Sequence, residues 1–360
     1  MVKTVSSAPE KPRPARSNSN LHSPEPASIR VAAIGGGTGL STLLRGLRRY
    51  VASPHQPSPD CEDVPCLISD LAAVVTVTDD GGSSGKLRRG FNMLPPGDLR
   101  NCMVALSEDE HLISRLFRHR FTAGEGLEGH SFGNLFVAAL LEMTGDFAQA
   151  IKLSSQVLAT RGHIYPVTNA NVSLAAHMDD GSLVRGETKI TASRQRIVEL
   201  RLEPADAEPL PETVDAIERA DLITVGPGSL FTSIITNLLV KGVSESLAAS
   251  KAVRVYICNL MTQANESLQL TASQHIERIY EHARQPLFDY ALVNTAPVSQ
   301  VLLDRYAGEG ASPIVADIEA IESLGVRCIA GDFAAEGDVV RHAADRVAEA
   351  VLRLGVAGRR

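Results

Sequence analysis

Residues 29–50 read IRVAAIGGGTGLSTLLRGLRRY. Ile29 to Ile34 make a short, largely apolar run, which suits a strand of a parallel sheet covered on both faces. Gly35, Gly36, Gly37, Thr38 and Gly39 follow at once, and Leu40, Leu43, Leu44 and Leu47 then recur at helical spacing. Strand, glycine-rich turn and helix are the opening of a βαβ unit. The same order returns at residues 220–240, ADLITVGPGSLFTSIITNLLV, with a Gly-Pro-Gly-Ser turn. Further strands are expected within 61–77, at 253–262 (VRVYICNLMT) and at 288–295 (FDYALVNT). Helices are expected from Asp98 to Leu106, over 129–145, from Phe147 to Leu158 and over 338–354.

Strands alternating with helices predict an α/β fold: a Rossmann-like, doubly wound, mainly parallel sheet. The texture changes around residues 160–205. VSLAAHMDDGSLVRGETKI (172–190) alternates about an Asp-Asp-Gly-Ser turn, and RIVELRLEP (196–204) adds a strand. These features predict an antiparallel insertion or small subdomain. Residues 1–28 are rich in Pro and Ser and poor in large apolar side chains, the composition of a disordered tail. The folded part is expected to span 29–355.

The chain has 360 residues, 44% hydrophobic and 21% charged, with a formal net charge of −7. An acidic balance argues against a dedicated nucleic-acid binder, and aromatics at 4% with no Trp argue against a base-stacking platform. No apolar run is long enough to span a bilayer and no signal peptide is apparent, so a cytoplasmic location is expected. The five cysteines, Cys61, Cys66, Cys102, Cys258 and Cys328, are too scattered for a disulfide framework and complete no zinc site, so all are read as reduced thiols.

In open α/β sheets, ligands bind beyond the carboxyl ends of the strands. Here those ends carry unusual residues: Gly36, Gly37, Thr38 and Gly39; Thr78, Asp79 and Asp80; Gly226, Gly228 and Ser229; Asn259; and Asn294. Loops on one edge of one sheet would surround one crevice. GGGTGL is not a dinucleotide fingerprint, because its third glycine position holds Leu40. GGSSGKL is not a P-loop, because Gly81 and Gly85 are too close and Leu87 stands where Ser or Thr would hold magnesium. Main-chain amides at Gly36–Gly39 can still favour a phosphate or diphosphate.

Asp79 and Asp80 admit three readings: a solvated turn, ribose binding, or magnesium with substrate phosphates completing its shell. Beside a phosphate cradle, two carboxylates need a cation or a hydroxyl between them and the ligand. Gly81, Ser83 and Ser84 would let the ligand approach the backbone, with Lys86, Arg88 and Arg89 covering the loop. Ser229 reads either as a helix N-cap or as a ligand hydroxyl. Asn134 is a further candidate, and His130 reads as an ordinary hydrogen-bonded histidine. Nucleophilic and zinc-hydrolase motifs are absent from the sequence.

AIGGGTGLSTLLRGLR, VVTVTDDGGSSGKLRRGFNMLPPGDLRNCMVAL, GHSFGNLFVAAL, VRGETKI, GPGSLFTSIITNLLV and CNLMTQANES together resemble the gluconeogenesis factor family of bacteria, which is related to 2-phospho-L-lactate transferase of coenzyme F420 biosynthesis. The motifs keep their order over nearly all of 29–355. The departures are Ala264 and Asn265 where Pro-Gly is common, and Thr236 where Pro is usual.

The resemblance implies a Rossmann-like domain that binds a UDP-sugar, notably UDP-N-acetylglucosamine. It implies a regulatory role linking gluconeogenic carbon metabolism to cell-wall precursor supply and cell shape. Gly36, Thr38 and Gly39 would meet the diphosphate, and Asp79 and Asp80 the nucleotide or a magnesium ion. Asn134, Gly228 and Ser229 would line the crevice, with Tyr290 and Arg327 as further sugar-nucleotide contacts. Expected partners are the UDP-sugar, a protein of cell-wall precursor synthesis and a second copy of the chain. The rival reading is a magnesium-dependent transferase of a phosphorylated group from a nucleotide-activated donor. A nicotinamide-dependent dehydrogenase is disfavoured by the missing third glycine.

Overall fold

The structure is a computed structural model that describes residues 28–52, 68–108, 112–193, 195–263 and 266–358. The tail expected over 1–28 lies outside it except for Ser28, as do Cys61, Cys66, Ala264 and Asn265. Cys102, Cys258 and Cys328 are free thiols.

Seven strands form the central sheet: β1 (Ile29–Gly35), β2 (Ile68–Val75), β3 (His163–Pro166), β7 (Leu222–Val225), β8 (Val253–Ile257), β9 (Tyr290–Asn294) and β10 (Arg327–Gly331). Between β3 and β7 the chain makes a separate three-stranded antiparallel sheet of β4 (Ser173–Met178), β5 (Leu183–Arg185) and β6 (Ile197–Glu203). A hairpin of β11 (Ala334–Glu336) and β12 (Val340–His342) follows β10.

Every pairing in the large sheet is parallel, and its strand order is β10-β9-β8-β7-β1-β2-β3. The inner strands are apolar because both faces are covered. All four residues of β7 are buried, and so are six of the seven in β1. The helix Gly37–Leu47 packs Leu40, Leu43, Leu44 and Leu47 against this sheet with almost no exposure. Each such side chain contributes about 1.5–3 kcal/mol of burial.

The strand order explains where a site can form. From β1 the chain winds outward to β2 and β3. It then returns to β7, on the other side of β1, and winds outward the opposite way. The connections leaving β1 and β7 therefore depart to opposite faces, and a crevice opens between their carboxyl ends.

Three elements differ from the sequence expectation. Gly82–Phe91, read as a glycine-rich loop, is a helix with Gly81 as its N-cap. The C-terminal helix runs Ala344–Gly358 instead of 338–354, because Glu336, Gly337 and Asp338 turn the chain into the β11–β12 hairpin. After the Gly-Pro-Gly-Ser turn the chain forms a π-helix over Leu230–Ile235, then a short α-turn at Thr236–Leu238.

Candidate functional site

The crevice between β1 and β7 has a volume of about 270 Å³. One wall is Gly36–Gly39 with Thr42, and the facing wall is Pro227, Gly228, Ser229 and Ser233. Asn259 to Gln263 follow from the end of β8, while Tyr306 and Val340–His342 close one side.

The first wall is built by close approach. A side chain at position 39 would place its Cβ 2.4 Å from the carbonyl oxygen of Pro227 across the crevice. Gly37 takes φ +64°, a left-handed conformation that glycine adopts without strain. Gly36 is the N-cap of the following helix and supplies no capping side chain. The cap comes instead from a distant residue: the Gly37 amide donates to Asp98 Oδ2 at 2.7 Å. The amides of Thr38 and Gly39, in the first helical turn, have no intrahelical acceptor and are the ones left to meet an anion. Burial pushes the Asp98 carboxyl up to about 6, with Asp79 adding to the shift and the Gly37 amide and Arg100 opposing it.

Across the crevice, Asn259 Oδ1 accepts from the Gly228 amide at 3.3 Å, and Gln263 Nε2 donates to Ser229 Oγ at 3.0 Å. Ser229 makes no side-chain cap to its own helix. Its hydroxyl is turned to the crevice wall. Ser233, which sequence reasoning passed over, sits between the two turns: a Cβ on Gly228 would lie 3.1 Å from Ser233 Cβ, and one on Gly37 3.9 Å from Ser233 Oγ. Gly226 lies just below the lining and donates its amide to Ile34 O at 2.8 Å, the last rung between β1 and β7.

The β11–β12 hairpin was also missed. Two of its anchors flank the crevice: Val340, whose amide donates to Tyr306 Oη at 3.1 Å, and His342, whose Nε2 donates to Cys258 O at 3.0 Å. Burial pushes His342 down to about 4, so the ring is neutral and carries its proton on Nε2. Between these anchors stands Arg341, exposed at the crevice lining. It offers a permanent cation with the fork geometry that suits phosphate.

Thr78, Asp79, Asp80, Gly81, Ser83, Ser84 and Asn134 stand beside the crevice and are not part of its lining. Asp79 Oδ1 accepts from the Gly81 amide at 2.9 Å. Asp80 Oδ1 accepts from both the amide and the hydroxyl of Thr188, in the segment between β5 and β6. Thr78 Oγ1 donates to Glu187 Oε2 at 2.9 Å. Burial, then the charges of Asp79 and Asp98, raise the Glu187 carboxyl well above the ordinary carboxylate range. Ser83 Oγ pairs with His130 Nδ1 at 3.1 Å and accepts from Asn134 Nδ2 at 3.2 Å, all three being buried. Arg88, in the helix Gly82–Phe91, donates to Thr78 O, Asn171 and Ser173, tying this helix to the antiparallel sheet.

Among the described residues, no three His, Cys, Asp or Glu side chains are grouped to hold a metal ion. Magnesium needs only one or two carboxylates where phosphates complete its shell. Asp79, close to Asp98 and Glu187, fits that requirement; Asp80 is committed to Thr188.

Tyr290 and Arg327 do not reach the crevice. They are the first residues of β9 and β10, at the amino edge of the sheet, and they satisfy each other: the guanidinium lies 4.6 Å from the ring centroid. Four residue steps along a parallel strand put Tyr290 about 13 Å from Asn294 at the carboxyl edge. Tyr306 and Arg341 are the tyrosine and arginine that line the crevice.

The description of the family "2-phospho-L-lactate transferase CofD" matches residues 31–334. The chain is 45% identical over 323 residues to the gluconeogenesis factor of Halalkalibacterium halodurans, covering 89% of this chain and 95% of that protein. It is 44% identical over 326 residues to the gluconeogenesis factor of Bacillus subtilis, covering 90% and 98%. A crystal structure of a Bacillus halodurans protein superposes with a TM-score of 0.84 at 44% identity, covering 90% of this chain and 99% of that one. With the fold and motif order described above, these matches establish that the chain belongs to the CofD family, among the bacterial gluconeogenesis factors.

Proposed function

We propose that the crevice binds a UDP-sugar, UDP-N-acetylglucosamine being the favoured candidate, and that the protein acts by regulation in gluconeogenic growth and cell-wall precursor supply. The observation that carries this reading is the meeting of three anion-seeking groups at one crevice: the Thr38 and Gly39 amides, the Ser229 hydroxyl and the exposed Arg341. A diphosphate fits between the two turns, and Tyr306 offers an aromatic ring to a base or sugar. The name carried by the relatives, gluconeogenesis factor, supports the metabolic setting. Among the described residues no helix is long and apolar enough to cross a membrane, which suits a cytoplasmic protein. The partner would be a protein of cell-wall precursor synthesis, reading the state of the Asp79–Gly81 turn and the start of the helix Gly82–Phe91.

One observation favours a second reading. The Asp79 carboxylate stands near enough to Asp98 and Glu187 to raise the proton affinity of both, an arrangement that a divalent cation would relieve. A magnesium-dependent transfer of a phosphorylated group, the activity in the family's name, would use that cation against the ligand's phosphates. Titration with UDP-N-acetylglucosamine, and with GDP or GTP plus magnesium, followed by product analysis, separates the two. Binding of the UDP-sugar without turnover supports regulation. Magnesium-dependent consumption of the nucleotide supports the transferase, and no heat with any of these compounds removes both.

A further inference from the structure

The π-helix carries Ser229 and Ser233 into one wall of the crevice, and the residue that couples it to the opposite wall is Asn237. This side chain has no exposed surface. Its Nδ2 donates to Gly35 O at 3.0 Å and to Ser233 O at 2.6 Å. Both neighbours are carbonyl oxygens, which only accept, so the amide nitrogen must face them and the orientation is unambiguous. Gly35 O also receives the Thr76 amide at 3.1 Å. One carbonyl, at the residue just before the glycine turn, thus gathers the end of β1, the end of β2 and the π-helix.

The other half of the same amide argues that its purpose is not stability. Asn237 Oδ1 is buried and has no hydrogen-bond partner among the described residues. A buried acceptor left unpaired is unfavourable, and a leucine of similar volume would remove it. What the amide provides is position. It fixes where the Gly35–Gly36 peptide leaves the sheet, and it holds the backbone of Ser233, whose side chain sits among Gly36, Gly37 and Gly228.

We propose that Asn237 is a positioning residue that holds the two phosphate-facing walls of the crevice in register. This rests on the reading of the crevice as a sugar-diphosphate site only for its ligand consequence; the positioning itself is a property of the free protein. The expected behaviour of Asn237→Leu is a melting temperature close to that of the parent. Backbone hydrogen exchange should be at least about tenfold faster over Gly36–Leu40 and Ser229–Ser233, read at the hydrogen-bonded Gly37, Leu40 and Ser233 amides, with distant β-strands unaffected. Binding of UDP-N-acetylglucosamine should weaken by at least about tenfold.

Exchange at those two segments indistinguishable from the parent overturns the proposal, because a space-filling role would give that result. Should the leucine variant fail to fold, Asn237→Asp provides the second test. It keeps the shape, but its buried carboxyl, protonated, can donate to only one of the two carbonyls, so faster exchange is expected at the segment that loses its donor, and unchanged exchange at both segments overturns the proposal. If the parent protein does not bind the UDP-sugar, the functional reading fails while the exchange data still decide the role of Asn237.

Discussion

Asp98 Oδ2 lies 2.7 Å from the amide nitrogen of Gly37, so the glycine turn after β1 is capped by a carboxyl from 61 residues further along the chain. The consequence is that an anion reaching this turn meets a group whose charge depends on pH. Burial raises the Asp98 carboxyl from 3.8 to about 6.

The sign of the pH effect follows from linkage. The folded chain keeps the Asp98 proton up to pH about 6, while the unfolded chain releases it near pH 4. The stability this contributes is fully present below about pH 4 and is lost as pH rises from about 4 to about 6. Asp98→Asn keeps an acceptor for Gly37 and removes the titration, so its stability should vary less with pH over that window, by roughly 3 kcal/mol. Thermal melts of both proteins from pH 4 to 7 check this; parallel curves would show that Asp98 does not titrate there.

Ligand binding should carry the same signature. A diphosphate beside an ionised Asp98 is repelled, so affinity for UDP-N-acetylglucosamine should fall as pH rises through about 6, and Asp98→Asn should flatten the dependence. Calorimetric titration at pH 5.5 and 7.5 reads it.

Gly39→Ala tests the close approach of the walls. Its Cβ would stand 2.4 Å from Pro227 O, so the turns must separate. A loss of about 1–3 kcal/mol in stability is expected from overpacking, with ligand binding abolished. Urea unfolding and calorimetry measure the two effects.

Arg341→Ala should weaken UDP-sugar binding by on the order of tenfold without lowering stability, since the side chain is exposed. Arg327→Ala, at the opposite edge of the sheet, should leave affinity unchanged. The reverse pattern would place the ligand elsewhere.

These contrasts show what the sequence made legible. Gly36–Gly39 and Gly226–Ser229 were readable because each follows an apolar strand and precedes a helical repeat, and parallel strands bring such turns to one edge. Asp98 was not readable as the cap of Gly37, because the pairing is made by the fold across 61 residues. Arg341 was hidden because β11 and β12 are only three residues each, and their alternation merged with the helical pattern that follows. Tyr290 and Arg327 were placed in the site by resemblance without regard to strand direction. As first residues of β9 and β10 they face the edge away from the crevice. Ser233 was missed because its position depends on the π-helix, which has no simple sequence period.

A crystal structure of the protein with UDP-N-acetylglucosamine tests the central claim most directly. The account predicts the diphosphate between the two glycine turns, within hydrogen-bond reach of the Thr38 and Gly39 amides and of Arg341. Clear density for the ligand at any other surface, with these amides untouched, would contradict it.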